Sequence, residues 1–65
     1  METTIRTLRR SRGVSQIWMA RQLGIHPKTY HNYEKGWSKP PKSILFHAAH
    51  LLHVSPQELI NEIHG

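Results

Sequence analysis

The chain has 65 residues, no cysteine, nine Lys and Arg against four Asp and Glu, and a formal net charge of +5. This length allows one domain with a small core, and the absence of cysteine excludes disulfides and thiolate metal sites. The charge favours a polyanionic partner, with nucleic acid ahead of an anionic membrane surface. No apolar run approaches the ~20 residues of a membrane span, and the first residues do not resemble a signal peptide, so we expect a cytoplasmic protein.

The first part of the chain predicts two short helices. Thr3 or Thr4 can cap a first helix that runs to about residue 11, and Gly13 is its stop signal. Ser15 can cap a second helix. The spacing of apolar residues predicts that five side chains of these helices point inward: Ile5, Leu8, Met19, Ala20 and Leu23.

A third helix is predicted directly after a tight turn at Gly24. His26 stands at its capping position, and Pro27 is its first residue, where the missing amide hydrogen of proline costs nothing. Tyr30 and Tyr33 are expected to point to the core. The two short helices and the glycine turn between them therefore predict a helix-turn-helix over about residues 15–35.

The second part of the chain predicts a loop followed by two more helices. Pro40 and Pro41 exclude a continued helix, and the next helix is expected over about residues 43–52. A capping box at residues 55–58 opens a fifth short helix. The expected inward residues of this part are Ile44, Leu45, Ala48, Leu52, Val54, Leu59, Ile60 and Ile63. No segment shows the strict alternation of apolar and polar residues that is typical of a strand, so the prediction is one all-α domain over residues 1–65.

The pattern of helix starts, turns and apolar positions along the chain resembles the phage repressor and Cro-like, or lambda repressor-like, helix-turn-helix domains of many bacterial regulators. The most specific matches are the Ser15-Gln16 helix start, the Leu23-Gly24 turn and the Glu34-x-Gly36 helix end. The resemblance covers about residues 5–60. It implies a compact five-helix domain that binds DNA in a bacterial or phage-infected cell.

The resemblance also implies which side chains read DNA bases. Pro27, Lys28 and Asn32 match family positions that face base edges, and His31 lies beside them. Lys28 suits the acceptors of guanine, and Asn32 suits the paired donor and acceptor of adenine. Pro27 offers only apolar contact, for example to a thymine methyl group. The expected base contacts are therefore Pro27, Lys28, His31 and Asn32.

A second set of side chains is expected at the DNA backbone. Gln16 matches a family position that holds a phosphate, at a helix N-terminus whose unpaired amide hydrogens attract anions. For each single lysine, a solvated surface charge is an equally good interpretation. The expected phosphate contacts are Arg10, Arg12, Gln16, Trp18, Thr29, Lys35, Lys39 and Lys42.

One charged pair is expected to be structural. Arg9 and Glu34 match a family pair that forms a partly buried ion bridge between the first helix and the end of the recognition helix. Burial would make an unpaired Glu34 costly, so we expect this pair to hold the fold rather than to read bases.

The three histidines at positions 47, 50 and 53 allow two interpretations. Their spacing could place two imidazoles of His47, His50 and His53 on one metal ion, but no acidic or thiol ligand completes a site nearby. Exposed surface histidines are the favoured interpretation, and no metal or cofactor is expected.

Three aromatic residues also allow two interpretations. Trp18, Trp37 and Phe46 could contact the DNA backbone or a protein, or each could fold over the small core as a lid. The lid is favoured for Trp37 and Phe46, and a contact is favoured for Trp18.

An enzyme is not expected, because the chain has no cysteine and no aspartate, and its four glutamates are scattered. The leading hypothesis is a sequence-specific double-stranded DNA-binding regulator, most simply a repressor. One recognition helix contacts only a few base pairs, so we expect a homodimer at least on DNA. No small-molecule ligand is evident. The competing hypothesis is a protein-interaction module, such as an antitoxin or adaptor, built on the same scaffold.

Overall fold

The computed structural model describes residues 4–64, with side chains for residues 4–60. Within this range the chain forms five helices and no strand: α1 (Thr4–Ser11), α2 (Gln16–Leu23), α3 (Pro27–Lys35), α4 (Lys42–Leu52) and α5 (Pro56–His64). The predicted all-α, five-helix fold is confirmed. Thr3 and the side chain of Ile63, both part of the sequence prediction, lie outside the described part of the chain.

The core contains side chains from all five helices. Its buried hydrophobic residues are Ile5, Met19, Ala20, Leu23, Tyr30, Leu45, Ala48, Ala49, Leu52 and Leu59. The predicted inward residues Leu8, Ile44, Val54 and Ile60 are half-buried and pack against this core. Apolar spacing therefore located most of the core correctly.

Tyr33 is an exception, because it is half-buried rather than a core residue. Side chains four residues apart lie one above the other on a helix, so Glu34 follows Tyr30 on the inner face of α3. Glu34 is 3% exposed, and it takes the inward position that the sequence prediction gave to Tyr33.

The first four helices end in the same hydrogen-bonded motif. The second residue after α2, α3 and α4, and the third residue after α1, donates its amide to a carbonyl five residues back: Val14 to Arg9, Ile25 to Ala20, Trp37 to Asn32 and Val54 to Ala49. The residue between adopts a left-handed conformation in α2, α3 and α4, which glycine tolerates best. Gly24 and Gly36 meet this need, but His53 ends α4 with a φ of 58°.

The starts of α2 and α3 have the predicted caps, and α4 begins with one shift. Ser15 Oγ accepts from the Trp18 amide at 2.9 Å, and His26 Nδ1 accepts from the Lys28 amide at 3.0 Å. α4 begins at Lys42, one residue earlier than predicted, because the Pro41 carbonyl already accepts the first helical hydrogen bonds.

No helix among residues 4–64 combines the length and the apolar character that crossing a membrane requires.

Candidate nucleic-acid interface

The packing of α3 against α2 determines which face of α3 is exposed. Met19 and Leu23 of α2 and Tyr30 of α3 are buried together in the core. Gly24, with a φ of 72°, allows the sharp turn between the two helices. α3 therefore presents to solvent the edge opposite Tyr30.

The predicted base contacts lie on one edge of α3. Pro27 and Lys28 are exposed in the first turn, and His31 and Asn32 are half-buried one turn later. Pairs four residues apart lie above each other on a helix, so these side chains form two adjacent columns. Neither the Lys28 ammonium nor the Asn32 amide has a hydrogen bond or ion pair within residues 4–60, so both are available to a ligand.

The lysines predicted at the DNA backbone are accessible. Lys35, Lys39 and Lys42 are exposed, and none of them pairs with a carboxylate in the described part of the chain. Lys35 is the last residue of α3 and Lys42 is the first of α4, so the three lysines lie at the end of α3 or between it and the start of α4. Arg10 is also exposed, and Thr29 is half-buried.

Arg12 has a structural contact that the sequence did not reveal. Its Nε donates to the backbone carbonyl of Leu52 at 3.0 Å, across a sequence separation of 40 residues. The carbonyls at a helix C-terminus lack intrahelical donors, so a guanidinium is well suited to this position. Arg12 therefore joins α1 to the end of α4, in addition to any role at the DNA backbone.

Four polar side chains form a connected group, which we call the Glu34 cluster: Arg9, Gln16, His31 and Glu34. Arg9 Nε donates to Glu34 Oε2 at 2.6 Å, and Arg9 Nη1 donates to the Val14 carbonyl at 2.7 Å. Gln16 Nε2 donates to Glu34 Oε1 at 2.9 Å, and Gln16 Oε1 lies 3.3 Å from His31 Nδ1. The predicted pair Arg9 and Glu34 therefore lie in contact, and the group links α1, α2 and α3.

Glu34 remains ionised although its side chain is 1% exposed. Burial alone raises the pKa of a carboxyl, but hydrogen bonds from Arg9 and Gln16 and the charge of Arg9 outweigh it. The pKa of Glu34 is consequently lowered. Burial, followed by the neighbouring Glu34 carboxylate, raises the pKa of Tyr30 far above its usual range, so its hydroxyl stays protonated.

Trp18, Trp37 and Phe46 are all exposed, which makes the lid interpretation wrong for Trp37 and Phe46. Trp37 is 72% exposed and Phe46 is 51% exposed, whereas Trp18 is 38% exposed. Trp37 directly follows Gly36, and its ring lies edge-on to His31 with the centroids 5.9 Å apart. The backbone of Trp37 closes the end of α3 while its ring stays at the surface.

His47, His50 and His53 are all exposed on or directly after α4. Within the described residues, no group of three or more His, Asp or Glu side chains is arranged to hold a metal ion.

A shallow cleft beside the start of α3 was not predicted. It has a volume of about 250 Å³ and is lined by Ile17, Arg21, Ile25 and Pro27. Ile17 is 58% exposed. In the sequence, the only indication of an apolar surface here is that Ile17 does not share the spacing of the inward residues of α2.

Comparison with known proteins identifies the family of this chain. The family model described as a helix-turn-helix domain matches residues 4–64. No curated protein and no solved structure matches the chain at a significant level. Since the matched region includes every helix described above, the chain belongs to the helix-turn-helix family, a class of DNA-binding domains.

Proposed function

We propose that this protein is a sequence-specific double-stranded DNA-binding regulator of the phage repressor and Cro-like type, acting most simply as a repressor. The observation that carries the proposal is the exposed edge of α3. There the side chains of Lys28 and Asn32 have no partner within the described residues, while Tyr30 on the inner face is buried. A helix fixed on one face and open on the other can enter a major groove.

The chemistry of this edge fits base recognition. The Asn32 amide can both donate to and accept from adenine, and the Lys28 ammonium can donate to the acceptors of guanine. Pro27 presents an apolar ring at the first position of α3. This combination supports contacts that differ from one base pair to the next.

The surrounding charges fit the DNA backbone. Lys35, Lys39 and Lys42 are exposed, and the N-terminus of α2 carries amide hydrogens beside Gln16. We place phosphates on both sides of α3, at Gln16 and at the lysines. Their contribution is independent of sequence and weakens as the salt concentration rises, because the release of counterions from DNA is then less favourable.

Specificity requires a second copy of the chain, because one recognition helix covers only a few base pairs. Two copies related by a two-fold axis would place their α3 helices in successive major grooves, about 34–36 Å apart. We therefore propose a homodimer on DNA and an operator with two related half-sites.

Selection of bound sites from a random duplex pool tests the proposal directly. We expect enrichment of a motif with two half-sites about one helical turn apart. A Lys28→Ala, Asn32→Ala double variant should lose this motif. The matched control is His47→Ala, His50→Ala on the exposed face of α4, which should keep it. Failure of the wild-type chain to enrich any sequence would contradict the proposal.

A further inference from the structure

The hydrogen bonds of the Glu34 cluster determine the orientation of the Gln16 amide. Ionised Glu34 has only acceptors, so the group that faces it from Gln16 must be the NH₂. The observed distance from Gln16 Nε2 to Glu34 Oε1 is 2.9 Å. The amide oxygen of Gln16 is therefore the atom that faces His31.

This orientation determines which nitrogen of His31 carries the proton. Gln16 Oε1 can only accept, so His31 Nδ1, 3.3 Å away, must be the donor. In a neutral imidazole one nitrogen donates and the other accepts. Nε2 of neutral His31 is consequently a hydrogen-bond acceptor.

His31 Nε2 is available to a ligand. It has no hydrogen bond within the described residues. It is also not among the side-chain nitrogen and oxygen atoms of that range that are both buried and without a partner, so His31 Nε2 is accessible to solvent. The Trp37 ring also lies edge-on to this imidazole, with the ring centroids 5.9 Å apart. The Gln16 contact therefore engages Nδ1 and leaves Nε2 without a partner within the described residues.

An acceptor at this position distinguishes among the groups of DNA. Phosphate oxygens, guanine N7 and O6, and thymine O4 are all acceptors and cannot bind neutral Nε2. The donors that the major groove presents are the amino groups of adenine N6 and cytosine N4. An accessible acceptor on α3 is therefore complementary to these two groups alone.

We propose that Arg9, Glu34 and Gln16 fix His31 as a specificity-determining acceptor for an exocyclic amino group of adenine or cytosine. The proposal rests on the proposed DNA-binding function and adds a base preference to it. His31 makes the contact. Gln16 and Glu34 act as positioning residues, because they select its tautomer through the hydrogen-bond chain.

The first experiment determines the tautomer without DNA. Long-range ¹H–¹⁵N spectra of the free protein at about pH 8, where histidines are generally neutral, distinguish Nδ1–H from Nε2–H. We expect His31 to show Nδ1–H, and we expect Gln16→Leu to remove this preference. His47 and His50, which have no side-chain hydrogen bond within the described residues, are references in the same spectrum. An Nε2–H signal from wild-type His31 would overturn the proposal.

The second experiment determines the base preference. Sites selected by the wild-type chain should contain one position restricted to adenine or cytosine on one strand. His31→Ala should relax that position alone and weaken binding to the selected site by roughly 2- to 10-fold, as expected for one hydrogen bond. His31→Asn should have the same effect, because its side chain is too short to replace Nε2.

The outcomes separate this proposal from the proposed function. An unchanged motif in the His31 variants, or a preference for guanine at that position, would overturn the role of His31 while leaving DNA recognition intact. A wild-type chain that selects no motif would overturn both, whatever the tautomer.

Discussion

The two ends of α3 differ in almost every physical respect. The first turn carries Pro27 and Lys28, both exposed, and the Lys28 ammonium has no ion pair within the described residues. The last turn carries Glu34, which is 3% exposed and receives hydrogen bonds from Arg9 and Gln16. The difference shows that one end holds the helix while the other stays open to a ligand.

This division has an energetic reason. A buried carboxylate must be paired, and its donors come from both preceding helices, so Glu34 fixes α3 relative to α1 and α2. An unpaired ammonium at an exposed position costs little folding free energy, because water hydrates it until a phosphate or base replaces that water. Substitutions at the two ends should therefore affect different measurements.

The largest expected effect is on stability at the buried end. Glu34→Gln removes the carboxylate and leaves Arg9, whose side chain is 12% exposed, without its counter-charge. We expect the free energy of unfolding to fall by about 3–5 kcal/mol, as when one partner of a buried pair is lost. Denaturant unfolding measures it. The same change at exposed Glu58 should cost less than about 0.5 kcal/mol, and equal losses at both positions would contradict the comparison.

Acid should weaken the same end. Because the pKa of Glu34 is lowered by folding, its contribution is complete above the unfolded-state value of about 4.3 and is lost as the pH falls further. Wild-type stability should therefore decline below about pH 4.3. Unfolding curves of Glu34→Gln should show a shallower decline over this range. A wild type and variant that lose stability in parallel would mean that Glu34 is not responsible.

At the open end the expected effect is on DNA binding rather than on stability. Asn32→Ala should cost about 1–3 kcal/mol on the selected operator and change binding to random DNA little. Lys39→Ala should weaken both alike and lower the slope of log affinity against log salt by about one. Fluorescence anisotropy over a salt series separates the two effects. Identical behaviour of the two variants would remove the distinction between base and backbone contacts.

The smallest expected effect is a gain in stability outside α3. His53 adopts a left-handed conformation with a φ of 58°, as Gly24 and Gly36 do at the ends of α2 and α3. His53→Gly should therefore stabilise the protein by about 0.5–1 kcal/mol. His47→Gly, at an exposed position inside α4, should destabilise it by about 1 kcal/mol. Thermal unfolding of both variants should give shifts of opposite sign.

Local patterns in the sequence were sufficient to predict the helices and most of the core. Ser15 and the Gly24 turn act within a few residues, and the spacing of Met19, Ala20 and Leu23 shows directly which face is buried. Short-range rules of this kind do not depend on the rest of the fold. The prediction that Tyr33 points to the core was wrong, because Glu34 obtains hydrogen-bond partners from α1 and α2 and can therefore occupy the inner face of α3.

The contacts that the sequence did not predict join residues far apart in the chain. The hydrogen bond from Arg12 to Leu52 and the contact between Gln16 and His31 depend on how the helices pack. No spacing rule relates such positions. The exposure of Trp37 was missed for the same reason, since composition alone does not tell a core aromatic from a surface one.

The most direct test of the account is to map the DNA contact on the ¹⁵N-labelled protein by titration with the selected duplex. We expect the largest shifts in amide signals at residues 27–32, with smaller shifts at Gln16 and Lys39. Signals of His47 and His50 on α4 should move least. Shifts concentrated on α4, or no shifts at low ionic strength, would contradict the claim that the open edge of α3 reads DNA.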